Sequence, residues 1–203
     1  MAIGDGIRRN VANVTQEERD RLRSAIVQLQ SNFYPGAHDD TPAGHVSWWF
    51  KQDEIHAHTH VHGCPAFLPW HREFVNQFEA LLRRVNPQLS LHYWDWTKDP
   101  GTLFTPDFLG NAHGDAGEPW LSASFYNPDP SVQTRDSSPF NPADPPKRLT
   151  RDLGTFGALI TAADDNRCIN AADFPALDAA INVPHGEAHI YIGGTLTNPH
   201  FLP

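Results

Sequence analysis

Apolar residues recur at helical spacing near the start of the chain. Leu22, Ile26 and Leu29 follow one another at intervals of three or four, so they share one face of a helix. Thr15 followed by Glu18 is the pattern of a capping box, which marks a helix start. The pattern therefore predicts a packing helix that begins after Thr15.

Three more helices are predicted further along. Proline and glycine in residues 34–44 end the first helix, and a second is predicted over roughly residues 45–58. A third is predicted to begin at or near His71 and to end at Asn86-Pro87, because proline cannot continue a helix. Its predicted apolar face consists of Phe74, Phe78, Leu81 and Leu82. A last helix is predicted to start near Asp173, with a kink or restart at Pro184.

Two segments lack helical periodicity. Residues 89–96, LSLHYWDW, are predicted to be extended or irregular and buried. Residues 98–148 are rich in Pro, Asp, Ser and Gly, and long ordered loops of this kind often form functional walls or lids. The pattern as a whole predicts a mainly α fold, and a length of 203 residues predicts a single domain over residues 1–203.

Composition and charge restrict the functional classes. A formal charge of −9 and the lack of a basic stripe argue against nucleic acid or an anionic membrane surface as a partner. No apolar run of 18 residues occurs and the N-terminus has no apolar signal core, so a cytoplasmic location is expected. Two cysteines, Cys64 and Cys168, are too few for a disulfide framework or a four-thiolate zinc site.

Twelve histidines are more than a chain of this length usually carries. Four of them fall in the seven residues HAHTHVH, from His56 to His62, and His71 follows a stiff FLPW segment. This cluster is either a solvated polar turn or a metal site. His185 and His189 lie four residues apart, so both rings can face one ion from a single helix face. Imidazole-rich sites with almost no cysteine favour copper, zinc or iron.

Three segments resemble one family in the same order along the chain. HGCPAFLPWHREFVNQFE followed by LHYWDW resembles the first copper site of the type 3 copper proteins, which are tyrosinases, catechol oxidases and molluscan haemocyanins. PHGEAHIYIGG resembles the start of their second copper site, and RRNVANVTQEE resembles the opening of their central domain. The resemblance covers nearly the whole chain.

The resemblance implies a set of ligands for two copper ions. His62 and His71 match the second and third ligands of the first copper, and His185 and His189 match the first two ligands of the second. The first ligand of the first copper is assigned to His56, which ends the preceding helix. Alternatives for that ligand are His58, His60 and His45, whereas structural or surface roles are expected for His38, His92 and His113.

The resemblance also implies an activity. The enzymes of the family oxidise ortho-diphenols, ortho-aminophenols or monophenols to ortho-quinones with dioxygen, so a phenolic small molecule and dioxygen are the expected partners. The alternative is a haemocyanin-like oxygen carrier or copper-binding protein. A zinc hydrolase is a third possibility, but no glutamate stands at the position of a general base on a ligand helix.

Gly186 departs from the pattern of many tyrosinases, which have Asn after the fourth histidine. That Asn, with an upstream Glu, holds a water thought to deprotonate monophenols. The corresponding upstream carboxylate here is Asp178. Because glycine has no side chain to hold water, Asp178 and Gly186 predict diphenol oxidation over monophenol hydroxylation.

The second copper site is incomplete in this sequence. Relatives have a four-helix bundle whose last helix carries the third ligand of the second copper, and no matching motif follows residue 193. A second polypeptide or a C-terminal fragment is therefore expected to complete the site. His200 is the alternative sixth ligand.

Overall fold

The computed structural model describes residues 5–36, 47–57, 59, 61–117 and 149–197. In this part of the chain five helices form: α1 Gln16–Ser31, α2 Trp48–Ala57, α3 Phe67–Val85, α4 Ala162–Ile169 and α5 Phe174–Ile192. Strands β1, His113–Asp115, and β2, Thr150–Asp152, pair antiparallel, with His113 opposite Asp152. Short 3-10 turns lie at Val11–Asn13 and Gly194–Thr197. The mainly α prediction is confirmed.

Helix α1 forms as predicted. The Thr15 hydroxyl accepts from the Glu18 N–H at 3.2 Å, and the Glu18 carboxylate accepts from the Thr15 N–H at 2.8 Å, which completes the capping box. Leu22, Ile26 and Leu29 are all buried. Helix α1 packs against both α2 and α3, so its apolar face forms one side of the core.

The predicted start of α3 is wrong. The helix begins at Phe67, four residues before His71, and its first turn contains Pro69. Proline is tolerated there because the first N–H groups of a helix have no intrahelical acceptor. The earlier start matters because it places His71 inside the helix, one turn beyond the Phe67 carbonyl.

Helix α5 starts as predicted. The Asp173 carboxylate caps it by accepting from the Ala176 N–H at 2.9 Å. Helix α5 runs without interruption from Phe174 to Ile192 with a buried Pro184 inside it, so the predicted restart at Pro184 does not occur. His185 and His189 therefore share one continuous helix.

The sequence interpretation missed two elements. Helix α4 has its own capping box between Thr161 and Asp164, a signal that was present in the sequence. The β1–β2 ribbon has no comparable signal, because each strand has three residues and its partner is distant along the chain.

The segments predicted to lack helices contribute to the core. Leu89 is buried, but Tyr93 is 50% exposed, so residues 89–96 are buried only in part. Phe108 and Ala116 are fully buried in the core, which makes the described part of residues 98–148 a structural segment. Residues 118–148 lie outside the described part, and their predicted role as a wall or lid is untested. None of the helices described is long and apolar enough to span a membrane.

Candidate metal centre

Three imidazoles meet where α2 ends and α3 begins. His56 lies in the last turn of α2, His62 in the connecting turn and His71 in α3. One ring nitrogen from each lies within 4.8 Å of the others. Nε2 of His56 is 3.2 Å from Nε2 of His71, and the ring centroids of His62 and His71 are 5.1 Å apart. Gly63, with φ of 77°, follows His62 in the tight turn that returns the chain to α3.

The ring of His71 is oriented by its own helix. Its Nδ1 lies 2.8 Å from the Phe67 carbonyl oxygen. A carbonyl can only accept, so Nδ1 carries the proton, and in the neutral ring Nε2 keeps a free lone pair. That lone pair faces His56, as a metal ligand requires.

A second pair of imidazoles lies on α5. Nε2 of His185 and Nε2 of His189 are 3.1 Å apart, one helical turn from each other. Nδ1 of His189 lies 3.0 Å from the Leu196 carbonyl oxygen, so this ring also donates from Nδ1 and keeps its Nε2 lone pair.

Phe67 lies between the two groups of imidazoles. Its ring centroid is 4.4 Å from that of His71 and 4.9 Å from that of His185, and the side chain is only 5% exposed. His71 and His185 themselves are 6.4 Å apart between ring centroids. The two groups therefore belong to one centre that spans α2, α3 and α5.

Aromatic side chains cover the α3 side of this centre. Trp70 stacks on Phe74 with ring centroids 5.0 Å apart, and Trp70 is also 5.0 Å from the ring of His71. Phe74 lies 6.0 Å from the ring of His56, a contact that the sequence interpretation missed. Its position three residues after His71, on the same helix face, was the available signal.

Burial keeps the imidazoles neutral. It lowers the pKa of His56 to about 4, with a smaller contribution from the neighbouring imidazoles, and it lowers the pKa of His185 to about 4 for the same reasons. Burial also lowers the pKa of His71, and partial desolvation of the ring lowers that of His62, a residue that is exposed overall. At neutral pH these rings are uncharged, which is the form that binds metals.

The nitrogen spacing fits metal binding. Two nitrogens that are each about 2 Å from one ion lie roughly 3 to 3.5 Å apart, which matches the 3.2 Å and 3.1 Å separations of the facing Nε2 atoms. All five donors are imidazole nitrogens, a set that suits copper, zinc or iron. Among the described residues the first group offers three donors and the second offers two.

The remaining predicted residues separate into three groups. Asp178 and Gly186 both lie on α5, where Oδ1 of Asp178 is buried without a hydrogen-bond partner and a side chain at Gly186 would meet open space. His92 and His113 do not join the histidine groups, and His113 is exposed beside Asp152. The other histidines considered as ligands or surface residues lie outside the described residues: His38, His45, His58, His60 and His200. The assignment of individual ligands stays a prediction.

Sequence comparisons identify relatives of the whole chain. The family model for the common central domain of tyrosinase matches residues 35–202. A tyrosinase-like protein of Caenorhabditis elegans, tyr-3, is 30% identical over 216 residues, which cover 96% of this chain and 27% of that protein. Haemocyanin 2 of Megathura crenulata is 28% identical over 197 residues, which cover 94% of this chain and 5% of that protein.

Structural comparison agrees on the fold. A mutant polyphenol oxidase from Thermothelomyces thermophila superposes with a TM-score of 0.67 at 20% identity, over 96% of this chain and 65% of that chain. The chain spans only part of these relatives, about a quarter of tyr-3. Because the family model covers most of the chain, the protein belongs to the tyrosinase family, whose members bind copper.

Proposed function

We propose that the chain is the copper-binding part of an oxidase that holds two copper ions and uses dioxygen to oxidise ortho-diphenols to ortho-quinones. Ortho-aminophenols and monophenols belong to the same substrate class. The observation that carries the proposal is the pair of imidazole groups on either side of the buried ring of Phe67. An ortho-diphenol loses two electrons and two protons to become a quinone. One dioxygen accepts the electrons of two diphenols and is reduced to two water molecules.

Each residue group has a distinct role in this proposal. His56, His62 and His71 would hold the first copper, and His185 and His189 would supply two ligands to the second. When bound, the copper pair supplies the electron exchange between substrate and dioxygen. Phe67 and Trp70 exclude water from the α3 side, so that the imidazoles remain neutral.

Gly186 and Asp178 favour diphenols over monophenols. A diphenol already carries both oxygens of the quinone and loses two electrons and two protons, whereas a monophenol must also gain an oxygen atom after losing its hydroxyl proton to a base. The Asp178 carboxylate is buried in part and lies about two helical turns before Gly186 on α5, and Gly186 offers no amide that could help to hold a water molecule. Diphenolase activity above monophenolase activity is the expected result.

The alternative is an oxygen carrier, and the similarity to haemocyanin 2 over 94% of the chain supports it. Access to the metal distinguishes the two functions, because a carrier covers its copper pair and an oxidase leaves it open to phenols. His62 is exposed in the described part of the chain, and this favours the oxidase.

We further propose that a helix from a second polypeptide, or from the C-terminal remainder of the same product, supplies the third ligand of the second copper. Among the described residues the second group holds two imidazoles, one fewer than the first group. On α5, Val183 is 67% exposed and Ile190 is 38% exposed. The two residues are seven apart, so they lie on one face of the helix. An apolar helix packed against that face of α5 would bury both side chains.

Copper content measured together with dioxygen uptake tests the function. The active protein should hold about two copper ions per chain and consume dioxygen when catechol is added. Reversible dioxygen binding without catechol oxidation would favour the carrier, and a copper-free active protein would refute both.

Denaturing mass spectrometry of the same sample tests the additional ligand. A further polypeptide should accompany the chain, and residues 1–203 expressed alone should retain only the first copper. If residues 1–203 alone hold two copper ions and oxidise catechol, the additional helix is unnecessary and His200 becomes the leading sixth ligand.

A further inference from the structure

The chain leaves α5 through two glycines that lie directly against strand β2. Gly193 has φ of 68° and Gly194 has φ of 58°, both in the left-handed region. A Cβ atom on Gly194 would lie 2.2 Å from the Thr150 carbonyl oxygen and 2.7 Å from the Arg151 Cα. No side chain can occupy that space, because the obstructing atoms are backbone.

Hydrogen bonds hold this turn on the ribbon. The Thr195 hydroxyl donates to the Thr150 carbonyl at 3.1 Å, and the Gly154 N–H donates to the Tyr191 carbonyl at 2.7 Å. These bonds attach the end of α5 to both the strand and the turn that follows it. The position of the 3-10 turn Gly194–Thr197 is therefore set by β2 as well as by α5.

These contacts fix the position of the Leu196 carbonyl group. The Leu196 carbonyl accepts from Nδ1 of His189 at 3.0 Å. That hydrogen bond selects the tautomer of His189 and limits its rotation, so that Nε2 points toward Nε2 of His185 at 3.1 Å. The corresponding bond of His71 comes from its own helix, whereas that of His189 depends on a segment beyond the end of α5.

We propose that Gly194 and Thr195 are positioning residues for the second metal site, which act through the Leu196 carbonyl on His189. The proposal rests on the proposed copper site. A simpler role exists, since glycine often ends a helix with a left-handed residue. Gly193 alone meets that need, as its N–H bonds the His189 carbonyl at 2.9 Å. The close approach of Gly194 to Thr150 is not required to end a helix. It is required because the following turn, Gly194–Thr197, lies against strand β2.

The test compares the two copper equivalents of the protein as isolated, together with any polypeptide that accompanies it. Stepwise competition with a Cu(I) chelator of known affinity is measured for the wild type, Gly194→Ala and Thr195→Val. Gly114→Ala is the matched control, because Gly114 has φ of 66° but an added Cβ there meets nothing within 4 Å. It imposes a similar backbone penalty in the partner strand β1 without the collision.

The weaker-bound equivalent should lose affinity by about 10- to 100-fold in Gly194→Ala and by a few-fold in Thr195→Val, the range typical of lost outer-sphere support. The other equivalent and the Gly114→Ala protein should stay within about two-fold of wild type. Equal loss at both equivalents would indicate a general structural role and overturn the proposal. So would unchanged affinities, or a second equivalent absent from the wild type. Should Gly194→Ala not fold, Thr195→Val decides alone.

Catechol oxidation is measured in the same samples to keep the two proposals apart. A wild type that binds two copper ions but does not oxidise catechol refutes the oxidase and leaves the positioning role intact. An active wild type whose variants lose no second-site affinity refutes only the positioning role.

Discussion

The metal centre has a first half, His56, His62 and His71, and a second half, His185 and His189. The two halves are assembled in different ways. In the first half, His56 and His71 are only 15 residues apart, and the orienting bond of His71 comes from a carbonyl one turn earlier in the same helix. In the second half, His189 depends on the Leu196 carbonyl, whose turn is attached to a strand 45 residues earlier in the chain. A site built from one local segment keeps its geometry whenever that segment folds. A site supported by distant contacts also needs the surrounding tertiary structure, so the second half should be the more sensitive to mutation.

Removal of a ligand from the first half should have the largest effect. His71→Ala, and likewise His62→Ala, should remove about one copper per chain and lower catechol oxidation by more than about 100-fold, because two imidazoles hold copper poorly. Copper analysis and oxygen-electrode rates measure this. The control is Arg72→Ala, the next residue on α3, whose side chain is exposed. Full copper content in both histidine variants would contradict the assignment of the first site.

Phe67 should connect the two halves, because its ring contacts both. Phe67→Ala removes a buried aromatic ring and should lower the free energy of unfolding by about 3–5 kcal/mol, and both copper affinities should fall together. The control is Phe156→Ala, where the side chain is 68% exposed and the change should stay within about 0.5 kcal/mol. Denaturant unfolding measures the change in the free energy of unfolding, and copper titration measures the two copper affinities. A loss confined to one copper would mean that Phe67 supports only one half.

Acid should weaken both halves of the metal-free protein alike. The pKa of His56 and of His185 is about 4 in the folded chain against an ordinary value of 6.5. Between these values the unfolded chain binds more protons than the folded one. Stability is therefore fully present above about pH 6.5 and is lost progressively as the pH falls toward 4.

The total loss should amount to several kcal/mol, since each pKa unit corresponds to about 1.4 kcal/mol and both rings contribute. Urea unfolding of the metal-free protein at several pH values measures it. His56→Gln and His185→Gln should each reduce the slope, because each removes one ring that the unfolded chain protonates and the folded chain keeps neutral. A pH-independent free energy of unfolding from pH 4 to 7 would contradict the burial of both imidazoles.

A substitution at Gly186 should have the smallest effect, which is a change in substrate preference. A side chain there meets open space, so Gly186→Asn introduces an amide on the helix that also carries Asp178 without a collision. Monophenol hydroxylation should rise several-fold relative to catechol oxidation. Gly186→Ala is the control, since it changes helix propensity without adding an amide. A wild type that hydroxylates tyrosine as fast as it oxidises catechol would contradict the role given to Gly186.

The sequence by itself determined the local features of this protein. The capping box at Thr15, the aspartate cap of α5 and the spacing of His185 and His189 are relations between residues that are close along the chain. Such relations are set by backbone geometry and can be recognised in any fold. The same holds for the resemblance of the FLPW segment to a copper site, which identified the family before any contact was known.

Only the tertiary structure decided how these local pieces meet. The pairing of β1 with β2 has no sequence signal, because two three-residue strands from distant segments share no periodic pattern. Helix α3 starts at Phe67, four residues before the predicted start, because the first turn of a helix accepts Pro69. The contact of Phe67 with His185 and the support of His189 by Leu196 depend on long-range packing. Residues that are distant along the chain are brought into these contacts by the packing of the whole core, which no pattern within a short segment specifies.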